Sequence, residues 1–139
     1  MENWTIEKLN QLIEDQIEES NVLDYKAADA LAKTDGKKNE ISKDVSAFAN
    51  SNGGVIIYGI KEFDEKSKAH LPEKIDPVSR INISKEWLEQ VISTKIQPKI
   101  EGIEIIPVTV NEEDNTVVYV VEIPKSTTAH QAAGRKYYK

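Results

Sequence analysis

AFANSNGGVIIYGI, residues 47–60, runs from an apolar-striped helix through two adjacent glycines into a strand that is apolar almost throughout. The order of these parts decides how the glycines are read. A phosphate-cradling loop follows a strand and opens a helix, so that the anion meets free N–H groups and the positive end of the helix dipole. Here a helix comes first, and its end presents carbonyls. Neither a Gly-Lys-Ser/Thr nor a GxGxxG spacing occurs. The pair therefore reads as a hinge: Asn52 or Gly53 takes the left-handed turn that stops the helix, Gly54 permits close packing, and the strand enters the core. Asn50 reads as an amide tie across this turn.

Working outward, Ile41, Val45 and Phe48 recur at helical spacing and predict a helix over about 38–51, after a turn at Asp35-Gly36. Val55 to Ile60 predicts a strand covered on both faces. Residues 5–17 place Ile6, Leu9, Ile13 and Ile17 on one helical stripe with an acidic outer face. NVLDYKA, residues 21–27, alternates, with Asp24 and Lys26 on one face and Leu23 and Tyr25 on the other. Residues 61–82 predict a loop or short hairpin. Ser84 caps a helix whose inward side is Trp87, Leu88, Val91, Ile92 and Ile96, ended by Pro98. Two strands flank the turn EEDN, and RKYYK, residues 135–139, predicts a last one. The expectation is an α/β (α+β) fold: three helices and a mixed sheet of about five to six strands in one domain, residues 1–139.

Composition narrows the function classes. The 139 residues contain no cysteine, and His70 and His130 lie far apart, so disulfide frames and thiolate zinc sites are excluded. No stretch is long and apolar enough to span a membrane, and a cytoplasmic location is expected. The net charge of −6 opposes phosphate binding, yet it is local: residues 1–20 carry six acids against Lys8, while the other 119 hold 18 acids and 17 bases. The basic, aromatic end stops in an extended pattern, as if more chain followed.

Taken together, ESNVLDYKAA, ISKDVSAFANSNGGVIIYGIKE, the helix ending KIQP, and VVEIPKSTTAHQAAGRKYYK are similar in order and spacing to the Schlafen AlbA-like domain. That resemblance implies a nucleic-acid-binding domain, DNA or RNA, standing at the N-terminus of a longer bacterial transcriptional regulator. The resemblance extends to some vertebrate relatives that carry an acidic trio for metal-assisted RNA cleavage. Its positions fall here on Glu19, Asp24 and Glu62, which would hold Mg²⁺ or Mn²⁺ and serve as the catalytic acids of an endoribonuclease. Two of the three differ in type from the family pattern, and Lys61 beside them would compete for the carboxylates.

Lys26, Lys37, Lys38, Lys43, Arg135 and Lys136 are the candidate phosphate contacts, and Tyr137 could stack on an unpaired base. Lys26 has a second reading, a salt bridge with Asp24. His130 reads as structural. A homodimer is expected, because pairing doubles the few phosphate contacts one near-neutral domain offers. Three functions follow: a nucleic-acid-binding module, a divalent-metal RNase, and a nucleotide-binding or protein-interaction domain.

Overall fold

The computed structural model describes residues 3–132 and the backbone of 136–137. Helix α1 spans Ile6–Glu14, β1 Leu23–Lys26, α2 Asp35–Ala49, β2 Gly54–Tyr58, β3 Ile60–Glu62, β4 Pro72–Ile75, β5 Val78–Ser79, α3 Lys85–Lys95, β6 Glu104–Asn111, β7 Thr116–Ile123, β8 Gln131–Ala132 and β9 Lys136–Tyr137. The fold is α+β, with three helices and a mixed five-stranded sheet.

The long strand β7 organises the sheet. One of its edges pairs antiparallel with β6; the other is shared by β5, at Val117 and Thr116, and by β2, from Tyr119 to Ile123. Beyond β2, β1 adds in parallel, Leu23 opposite Val55 and Lys26 opposite Tyr58. Period-two alternation then sends side chains to two cores. Ile56, Tyr58, Tyr119 and Val121 meet Ile41, Val45, Leu88 and Val91 of α2 and α3. Tyr25, Ile57, Val118 and Val120 meet Leu9 of α1, with Ile6, Leu12 and Ile13 around it. The apolar run is thus covered on both faces, as its composition required.

Each helix begins at a side-chain cap. Thr5, Thr34 and Ser84 accept hydrogen bonds from the amides of Lys8, Lys37 and Trp87. The Thr34 cap moves the start of α2 ahead of the expected position, so Asp35 and Gly36 lie inside its first turn and form no separate turn. α1 stops at Glu14, before Gln16 at φ 52°, and Ile17 leaves the stripe to become 40% exposed.

The glycine corner is a close approach of backbones. Gly53, at φ 73°, donates to Phe48 O at 2.8 Å and ends α2, and a Cβ there would lie 2.6 Å from Ile123 O. A Cβ on Gly54 would lie 2.6 Å from Val22 O. Asn50 ties a more distant segment than expected: its amide bonds the backbone of His130, eighty residues away.

The strand expected to run to Ile60 breaks at Gly59, φ 124°, where the chain turns out of the main sheet into β3. β3 and β4 form the short hairpin left open by the sequence. β8 lies against α2 and pairs with β9, so part of the anticipated last strand is present; Arg135 and residues 138–139 fall outside the described residues.

Candidate metal centre and basic surface

Two of the three acids foreseen in the sequence converge. Glu19 enters from the segment before β1 and Glu62 from the end of β3. His70, from the β3–β4 connection, completes a group whose ligand atoms all lie within 4.8 Å of one another. The hairpin register explains the meeting: Glu62 stands opposite Pro72, so the connection folds back beside it. Glu19 is held from both sides, its amide donating to His70 O at 3.0 Å and its carboxylate 3.4 Å from His70 Nδ1. His70 occupies φ 74°, a left-handed backbone that a residue other than glycine adopts at a cost.

Glu62 is the least compensated member. Its Oε2 is buried with no hydrogen-bond partner among the described residues, and burial raises its pKa against the lowering effect of His70. A buried carboxylate oxygen without a donor suits a cation. Two carboxylates and an imidazole are a ligand set for Mn²⁺ or another divalent transition metal more than for Mg²⁺, which favours oxygen.

Asp24 stands outside this group. It lies on the α2 face of β1, where Lys26 Nζ is 3.5 Å from Asp24 and 3.7 Å from Asp44 of α2. One lysine shared by two carboxylates leaves each undercompensated. Burial therefore wins at both acids and raises their pKa values, with Lys26 opposing. Burial alone would lower Lys26, but Asp24 and Asp44 outweigh it and hold it above the ordinary lysine value. Lys26 is engaged as the salt-bridge reading foresaw. The Tyr58 hydroxyl is fully buried nearby, without a hydrogen-bond partner among the described residues, and pushed well up first by burial and then by Asp44 and Asp24.

Lys61 does not compete for the metal-site acids. Strand alternation turns it away from Glu62, and its Nζ donates to Glu73 at 3.0 Å, Asp64 at 3.2 Å and the Glu62 carbonyl. The bonds to Glu73 and Asp64 hold its pKa above the usual value.

Among the candidate phosphate contacts, Lys37 and Lys43 are exposed along α2 and Lys38 is half-buried. Lys136 and Tyr137 lie on β9, paired with Ala132 and Gln131. His130 is structural. Its Nδ1 is 2.6 Å from Pro98 O, an acceptor only, so Nδ1 carries a proton, and Nε2 is 2.6 Å from Ser126 Oγ.

Sequence reasoning missed His70 and Asp44. His70 carries no local signal, because only the hairpin register brings it to Glu62. Asp44 had one: on a helix with its stripe at Ile41, Val45 and Phe48, it borders the buried face and was open to a partner from the sheet.

A mixed sheet with two helices on one face and one on the other, joined by a glycine corner, defines the class of domain. Residues 19–139 match the Schlafen, AlbA_2 family model, and the chain belongs to that family. No curated protein matches it. Among solved structures it is similar to the crystal structure of the DIP2311 protein from Corynebacterium diphtheriae, at 14% identity and a TM-score of 0.57, covering 96% of this chain and 28% of that one. It is also similar to the solution structure of the N-terminal domain of an ATP-dependent DNA helicase RecG-related protein from Nitrosomonas europaea. There the identity is 20% and the TM-score 0.54, over 86% of this chain and 71% of that one. Both likenesses are of fold. The chain spans under a third of the DIP2311 protein's length. Among the described residues, no helix is long and apolar enough to cross a membrane.

Proposed function

We propose that this chain is a nucleic-acid-binding domain that contacts the phosphate backbone, and that it forms one domain of a longer, regulator-type protein working as a homodimer. Family membership and a neighbour that is the N-terminal domain of a DNA helicase-related protein support the target class. The carrying observation is the outer side of α2, where Lys37 and Lys43 are exposed and Lys38 faces a cleft against α3. Lysines so placed grip a backbone without reading bases. Anisotropy of labelled RNA and DNA, measured as salt is varied, tests this. Affinity falling steeply with salt is expected; a flat response, or no binding at low salt, overturns it.

The convergence of Glu19, Glu62 and His70 favours a second reading, a divalent-metal endoribonuclease in which His70 takes the ligand place that the family resemblance implied for Asp24. A cation there would supply charge stabilisation at a phosphodiester and a more acidic water. The protein would contribute the three ligands. Mn²⁺ should raise the melting temperature of the wild type and leave Glu19→Ala and His70→Ala unmoved. Equal shifts in all three would remove this reading.

A further inference from the structure

Lys38 of α2 faces Trp87, Gln90, Val91, Thr94 and Lys95 of α3 across a cleft of about 170 Å³. The α3 residues are one helical stripe at i, i+3, i+4, i+7 and i+8. No acid of α3 lines the cleft: Glu89 lines the neighbouring hollow beside the α3–β6 connection, which adjoins the cleft at Gln90. Lys38 and Lys95 are both half-buried, and neither has a carboxylate within ion-pair distance among the described residues. Half-buried cations without counter-ions favour an anion brought from outside. Trp87 packs partly on the core and keeps part of its surface in the cleft.

We propose that this cleft receives one unpaired base of a single-stranded nucleic acid against Trp87, with Lys38 and Lys95 contacting the phosphates on either side. The proposal rests on the nucleic-acid reading above and gives it a place. Shape selects the single strand. A duplex is read by an element that protrudes into its groove, whereas this surface is concave. At roughly 30 Å³ per water, the cleft holds the volume of about five or six waters, room for a planar ring and not for stacked pairs. Aromatic stacking is tolerant of base identity, and Gln90, with no side-chain hydrogen bond among the described residues, is available to a base edge.

The test uses the full chain and short oligo(dT) and oligo(rU), followed by anisotropy and by tryptophan emission in a Trp4→Phe background that leaves Trp87 as the emitter. Saturable quenching is expected. Lys38→Gln with Lys95→Gln should weaken binding at least tenfold and reduce the slope of log K against log salt by about 1.4, two contacts at about 0.7 each. If the wild type binds and the double variant, folded by circular dichroism, keeps its affinity and slope, the cleft is not the site, although the nucleic-acid reading survives. Duplex bound as tightly as single strand, without quenching, also overturns the proposal. Failure of the wild type to bind any nucleic acid overturns both.

Discussion

Asn50 and His130 exchange two hydrogen bonds across eighty residues of sequence: the Asn50 side-chain amide donates to His130 O at 3.0 Å, and the His130 amide donates to Asn50 Oδ1 at 2.9 Å. Asn50 is the C-cap of α2, so one side chain fastens the segment leading into β8 to the end of the central helix. The His130 ring then extends the tie to Pro98 and Ser126.

Asn50→Ala should cost about 2–4 kcal/mol, because it leaves a buried donor and a buried acceptor of His130 unpaired together. Urea midpoints decide it; an alanine variant as stable as wild type would show that the backbone of His130 finds other partners.

Gly53→Ala and Gly36→Ala should separate sharply. At Gly53 the backbone is left-handed and a Cβ would press on Ile123 O and Lys125 N, so a loss of about 3 kcal/mol or more is expected. Gly36 lies in the first turn of α2 with no described residue within 4 Å of its Cβ position, and alanine should be neutral or stabilise by a few tenths of a kcal/mol. Thermal melts of the two variants settle the contrast.

What was legible follows from the range of the interactions. Periodicity and caps are local, so Ser84 marked the start of α3 and Ile56 and Ile57 marked a doubly covered strand. The helix-before-glycine order marked a corner for the same reason. Gly59 was harder, because a glycine ending an apolar run reads as part of the run until its φ is known. The metal-site candidates were only two-thirds legible. Glu19 and Glu62 came from the family pattern, while His70 depends on a hairpin register that no spacing announces. That Asp24 pairs through Lys26 with Asp44 also required the helix to be laid on the sheet.

Tyr58 and Tyr119 are register partners on adjacent strands with opposite accounts. The Tyr119 hydroxyl donates to Ile83 O at 2.6 Å, whereas the Tyr58 hydroxyl is buried without a partner among the described residues. Tyr119→Phe should therefore lose about 1–2 kcal/mol, and Tyr58→Phe should lose nothing or gain up to about 1 kcal/mol. Chemical denaturation of both measures the difference; an equal loss would mean that the Tyr58 hydroxyl is satisfied in solution.

Asp44→Asn should stabilise the protein near neutral pH and lose that advantage in acid. Burial is the main reason the Asp44 carboxyl titrates above 3.8, the ordinary aspartate value; Lys26 at 3.7 Å offsets part, while Asp24 and Glu40 push the same way as burial. Between 3.8 and the raised native value, the folded chain holds more proton than the unfolded one. Stability accordingly falls as pH rises through that window, and the charged carboxylate carries its full penalty above it. Asparagine has no charge to bury and leaves Lys26 paired with Asp24 alone. The expected gain at pH 7 is a few tenths to about 1 kcal/mol, discounted for partial exposure. It should shrink as pH drops through the native value and vanish below 3.8, where wild-type Asp44 is protonated in both states. Melting temperatures of the two proteins across pH 3 to 8 test it, and a difference that grows on acidification would reverse the assignment of burial as the stronger effect.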